Sequence, residues 1–146
     1  FMIGIPGETK EEKIQTLKLM LELDEKYPKA HTTQAYIFTP QPGTPLFYEA
    51  VQQGYKPPQS LEEYATVHWN KVLMPWIDEE TAKFMVKVSY LTYFCDGQSV
   101  VEYIRPSYFF KAGMNFYSSI VRFRIKSSFY LFTPEIFFMK KYFGYK

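Results

Sequence analysis

Phe1-Met2-Ile3-Gly4-Ile5-Pro6-Gly7-Glu8-Thr9-Lys10-Glu11-Glu12 opens the chain with an apolar run, broken by Pro-Gly and followed at once by Thr-x-x-Glu. That last spacing is a capping box, in which Thr9 and Glu12 each satisfy an amide left free by the first helical turn. The segment therefore reads as a strand that turns into a helix near Glu8. Beyond it Ile14, Leu17, Met20, Leu21 and Leu23 fall mostly three or four apart, while Glu11, Lys18, Glu22 and Glu25 take the other side, as an amphipathic helix requires. Pro28 ends it. Thr32-Thr33-Gln34-Ala35-Tyr36-Ile37-Phe38-Thr39 is rich in β-branched and aromatic residues and is closed by Pro40, which predicts a second strand. A helical crossover of this length favours a parallel pair.

Pro40-Gln41-Pro42-Gly43-Thr44-Pro45 then forms a stiff loop, because three prolines fix φ and remove three donors. A short helix from about Pro45 to Gln53 is predicted, ending at Gly54. Ser60-Leu61-Glu62-Glu63 repeats the capping spacing and opens a helix expected to reach about Lys71, with Tyr64, Val67 and His68 on one face. Asp78 caps a longer helix to about Phe94, and Thr133-Pro134-Glu135 starts a final one that Gly144 can end. The layout is a strand–helix–strand unit followed by a mainly helical extension.

The 146 residues hold 20% aromatics and only 7 Gly, which excludes intrinsic disorder for most of the chain. No apolar run approaches the roughly 20 residues of a membrane span. The first residues lack a basic leader, so they do not read as a signal peptide, and Phe1 before Met2 suggests a start inside a longer protein. One cysteine, Cys95, cannot form an internal disulfide, which points to a reducing, cytoplasmic setting. The net charge of +2 hides an asymmetry: residues 1–102 carry 9 basic and 14 acidic side chains, residues 103–146 carry 8 and 1. The body is acidic and the tail basic.

Gly4 to Thr9 lies where the carboxyl end of a strand meets the amino end of a helix. In α/β folds this edge collects ligands, because free amides and side-chain-free glycines let a polar group approach the backbone. A tight turn that needs glycine for geometry explains the same residues. The segment is no P-loop, since Lys-Ser/Thr does not follow Gly7. Glu8 can cap its helix or hydrogen-bond near a pocket, and the two readings stand level. Cys95, among Tyr93, Phe94 and Asp96, reads as a buried thiol. His31 falls in a loop before a strand and His68 on a helix face, where packing roles outweigh ligand or acid–base roles.

The paired segments Phe1–Thr9 and Tyr36–Leu46, followed by Ser60–Tyr64, resemble the later part of radical S-adenosylmethionine (SAM) enzymes. The resemblance is to the group with a cobalamin-binding domain that includes the anaerobic magnesium-protoporphyrin ester cyclases. It covers roughly residues 1 to 70. It implies an α/β fold, with residues 1–58 as the last strands and helices of a partial (β/α)6 TIM-like barrel and 59–146 as a helical extension, basic and aromatic from 103. It implies that Ile3, Gly4, Ile5, Pro6, Gly7 and Glu8 lie beside the adenine of SAM. Tyr36, Phe38, Thr39 and Pro40 would close the same pocket. The implied chemistry is reductive cleavage of SAM by a 4Fe-4S cluster, starting methyl transfer or oxidative cyclisation on a small or lipid-like substrate, with cobalamin as a further cofactor. The three cysteines that hold such a cluster are absent from this chain, which alone should not turn over.

Fifteen of the last 44 residues are Phe or Tyr, interleaved with Arg122, Arg124, Lys126, Lys140 and Lys141. Such a pattern can lie along a membrane interface with cations at the headgroups. It can equally form packing helices whose basic surface faces the acidic body, and that is the favoured reading. No nucleic-acid motif accompanies the charge. The alternative to an enzyme is therefore a non-catalytic membrane-surface or partner-binding module.

Overall fold

The computed structural model describes residues 1–27, 32–67, 74–95, 108–130, 133, 134, 136 and 137. Strand β1 (Met2–Ile3) leads into helix α1 (Lys10–Lys26) and returns as β2 (Tyr36–Ile37). Helices α2 (Pro45–Gln52), α3 (Leu61–Tyr64), α4 (Glu79–Thr92) and α5 (Tyr108–Lys126) follow. The strands pair in parallel, Met2 opposite Tyr36 and Ile3 opposite Ile37. Tyr36 N–H donates to Phe1 O at 3.0 Å and Phe38 N–H to Ile3 O at 2.8 Å. Side chains alternate along the ladder, so Ile3 and Ile37 go inward against Met74 and Met85 while Met2 and Tyr36 face solvent.

Local capping chemistry sets the helix starts. Both arms of the Thr9–Glu12 box are formed, and the two Thr9 hydrogen bonds hold the Glu12 carboxyl below its ordinary pKa. Ser60 Oγ accepts from Glu63 N–H at 3.2 Å, while the Glu63 carboxylate reaches back to Gln59 N–H at 2.7 Å. The helix expected to run to Lys71 stops at Tyr64. There the bonding tightens to Thr66 N–H→Glu63 O and Val67 N–H→Tyr64 O, and the Thr66 hydroxyl also donates to Glu63 O at 2.7 Å.

Asp78 caps α4 by accepting from the Thr81 hydroxyl at 2.7 Å and from Thr81 N–H at 2.8 Å, and these bonds hold its pKa below the usual carboxylate value. A carboxyl whose folded pKa is lowered contributes stability that is present above its unfolded value and lost as pH falls through the folded one. Asp78→Asn is expected to keep the cap and flatten the acid-side decline in Tm, whereas Asp78→Ala should lower Tm already at neutral pH. Thermal melts from neutral to acidic pH check this; a Tm profile unchanged in both variants would contradict it.

The main core joins Leu17, Met20 and Leu21 of α1 to Val88 and Leu91 of α4 and to Val121 and Ile125 of α5, with Ala35 and Cys95 filling between them. Cys95 is buried, and its thiol lies 3.9 Å from Leu91 O. Across this core the Arg122 guanidinium pairs with Asp24 and donates through Nε to Cys95 O at 2.9 Å, and Lys126 meets Glu25 at 2.7 Å. One face of the basic tail thus packs on the acidic body.

The expectation that the first 58 residues form the end of a partial (β/α)6 barrel is not met. Among the described residues the structure is mainly helical, and its sheet has two strands of two residues each. The physical reason lies at the end of β1 and along the outer edge of β2. Gly4 takes φ +87° directly after Ile3 and turns the chain out of the sheet. On the edge of β2 away from β1, Ala35 N–H donates at 2.9 Å to Thr92 Oγ1 of α4, so a helix is bonded where a third strand would have to pair. His31, His68 and most of the helix expected from Thr133 lie outside the described residues.

Candidate functional site

Because β1 and β2 run parallel, the turn from Gly4 to Glu8 and the loop from Phe38 to Pro40 leave the sheet at the same edge. The opening segment is a strand, as the motif requires.

The first turn is closed by its own groups. Glu8 N–H donates to Ile5 O at 3.1 Å, and the Glu8 carboxylate accepts from Gly4 N–H. Lys13, one turn into α1, carries its ammonium to 2.6 Å from Glu8 O, 3.3 Å from Thr9 O and 3.7 Å from Glu8 Oε2. The Lys13 and Glu8 side chains are only 5% and 6% exposed. Gly4 O accepts from Trp76 Nε1 at 3.4 Å, and a Cβ on Gly4 would sit 2.3 Å from Met85 Cε. Both polar groups of Gly4 and the space beside its Cα are therefore occupied by protein. Ile3 lies in the core, Ile5 and Pro6 are half-buried, and Gly7 takes φ +76° with open space beside it. The glycine at 4 serves close packing, whereas the one at 7 leaves backbone accessible.

On the second strand Phe38 and Pro40 are buried, Thr39 is half-buried, and the Tyr36 side chain points out on the opposite sheet face. Thr39 and Pro40 line a cavity of about 310 Å³ with Gln41, Tyr55, Tyr64 and Val67. Tyr55 and Val67 also line a larger cavity of about 560 Å³ beside Pro57, Pro58 and Pro75. Burial, and secondarily the neighbouring Tyr64, push the Tyr55 phenol above its ordinary pKa. The structure brings the two turns to one edge, but the residues of this cavity come from the second turn and the helices after it. The sequence marks Tyr55 in no way as a site residue, and Tyr64 and Val67 only through the helix face they share.

Among the described residues no group of three or more His, Cys, Asp or Glu side chains could hold a metal ion. No helix among them is long and apolar enough to cross a membrane.

No protein-family model matches the chain, and no solved structure matches it. An uncharacterized methyltransferase of Pyrococcus horikoshii is 31% identical over 94 residues, which are 64% of this chain and 19% of that protein. The chain is thus similar to about a fifth of a longer protein that is named for methyl transfer.

Proposed function

We propose that this chain is part of a SAM-dependent enzyme of the radical SAM superfamily that acts in methyl transfer, and that its shared sheet edge receives the adenosyl end of SAM. The observation that carries this reading is the parallel register, which sets Gly4–Glu8 and Phe38–Pro40 side by side at the ligand-collecting end of the strands. The similarity to a protein named as a methyltransferase supports the same class.

The residues at the edge suit an uncharged, flat group. At about 310 Å³ the Thr39–Pro40 cavity is at the small end of the range for ligand pockets. Pro40, Tyr55 and Tyr64 supply apolar walls, while the Gln41 amide and the neutral Tyr55 phenol supply hydrogen-bonding groups without charge. SAM, when bound, supplies an activated methyl group or, on reductive cleavage, a carbon-centred radical. The residues present do not fit an iron–sulfur cluster: their single thiol is buried, and its ligands would have to come from outside them. What this chain contributes is a rigid edge, since the Gly4 turn is locked by Glu8, Lys13 and Trp76.

Photolabelling of the intact protein with 8-azido-SAM, followed by digestion and mass mapping, tests the reading. Label is expected on the Ile5–Glu8 turn or between Phe38 and Val67, and unlabelled SAM should suppress it. Saturable label confined to other segments, or no saturable label, would overturn it.

A further inference from the structure

The cavity of about 560 Å³ shares two of its lining residues, Tyr55 and Val67, with the smaller one beside Thr39 and Pro40. Ligands seated in the two would be separated by one layer of side chains. A transfer enzyme needs that juxtaposition, because its two reactants must be held together for the step between them to become unimolecular.

The walls are in place without a ligand. Pro57, Pro58 and Pro75 line the cavity with rings that fix φ and carry no backbone donor. Gly54, at φ +95°, brings its segment close to Pro75, since a Cβ there would sit 3.7 Å from Pro75 Cγ. Tyr55 is buried, its N–H donates to Ala50 O at 2.9 Å, and its ring stands edge-on to Phe47 at 6.3 Å.

Most polar groups of the lining already have partners. The Thr66 hydroxyl donates to Glu63 O at 2.7 Å, the Glu63 carboxylate accepts from Gln59 N–H at 2.7 Å, and Pro57 O accepts from the Gln59 amide at 2.8 Å. The Lys56 ammonium is bonded to no group among the described residues. The cavity therefore offers apolar walls and one uncommitted cation. A phosphate dianion would keep net negative charge there, beside Glu63 and without an arginine fork to hold it. A carboxylate balances a single lysine charge for charge.

We propose that this cavity holds the enzyme's second substrate, a compact apolar or aromatic molecule bearing one carboxylate, with its body against Tyr55 and the three prolines and its carboxylate at Lys56. The role of second substrate rests on the SAM reading. The preference for an apolar carboxylate does not.

Photolabelling of the intact protein with 4-azidophenylacetate, followed by digestion and mass mapping, tests the proposal. Saturable label is expected on residues 54–58, 63–67 or Pro75. Phenylacetate should suppress it better than phenyl phosphate or 2-phenylethanol, and unlabelled SAM should leave it in place, because both molecules must bind at once. Lys56→Gln is expected to raise the half-saturating concentration about threefold, the size an exposed ion pair allows. Thr66→Trp, which fills the larger cavity and does not line the smaller, should abolish the label while 8-azido-SAM still reacts; circular dichroism checks that this variant folds. The proposal is overturned by label confined to other segments, by label that the folded Thr66→Trp protein retains, by suppression with SAM, or by phenyl phosphate or 2-phenylethanol competing as well as phenylacetate. Failure of 4-azidophenylacetate with 8-azido-SAM still reacting would sink this inference alone. The reverse pattern would sink the SAM reading and the role of second substrate, and would leave a carboxylate-binding cavity.

Discussion

Gly4→Val is expected to lower the melting temperature by about 10 °C, a loss of ~3 kcal/mol in a chain of this size. Two effects add. A β-branched residue at φ +87° leaves the region that L side chains favour, costing roughly 1–2 kcal/mol. The new Cβ would also meet Met85 Cε at 2.3 Å and Ile77 Cδ1 at 3.3 Å, and overpacking of a core typically costs about 1–3 kcal/mol. Met85 Cε is the free end of a flexible side chain, so part of this overlap is relieved by its shifting, at the low end of that range. The two effects can be separated with Gly4→Ala, whose cost should shrink in a Met85→Ala background by the overlap part alone. A Tm for Gly4→Val within a degree or so of the parent would show that the chain does not pack this closely at the turn. The same result bears on ligand experiments. Loss of SAM binding in a Gly4 variant would report unfolding as readily as a blocked pocket, which makes the open Gly7 and the Thr39 side the cleaner places to probe.

Lys13→Met should destabilise the protein by about 3 kcal/mol, read as a fall in the urea midpoint. Removing the ammonium leaves the Glu8 carboxylate, only 6% exposed, without its counter-charge, and takes the ammonium from Glu8 O, while Thr9 O keeps the backbone N–H of residue 13. Breaking one side of a buried pair costs more than the pair is worth, because the remaining charge must be held out of water. The double variant Glu8→Gln/Lys13→Met is therefore expected to lie closer to the parent than Lys13→Met does. Strict additivity of the two single changes would show that the groups do not form a coupled pair.

The features legible in the sequence are those whose causes are local. Thr9 with Glu12, Thr44 before Pro45, and Asp78 before Glu79 each hold both the cap and its target within a few residues, and all three helices begin where those residues say. The spacing of Leu17, Met20 and Leu21 likewise carries the buried face of α1. Strand length was not legible. Thr32 to Thr39 has the composition of a strand, but a ladder is only as long as its partner, and β1 ends at Gly4. The barrel expected by resemblance fails because the described residues form only these two short strands and a helix is bonded at the free edge of β2. Helix α5 carries no capping residue in the described part, and its exposed stripe and buried face are both apolar, so its periodicity does not reveal which side packs. At the candidate site, the Pro-Gly turns were visible as turns. The one trace of Lys13 is its spacing, since a lysine four residues before Leu17 sits on the buried face of α1. Trp76 and Met85, which close over Gly4 from more than seventy residues away, leave no trace near it.

The contacts that fasten α1 to α5 have a consequence for biosynthesis. Asp24 finds Arg122 98 residues later, and Glu25 finds Lys126 101 residues later. At a ribosomal pace of about 5–20 residues per second, the sticky side of α1 waits roughly 5–20 s before the segment that shields it has been made. During that interval the apolar side of α1 lacks its α5 cover, and a pause in translation just before α5 would lengthen its exposure.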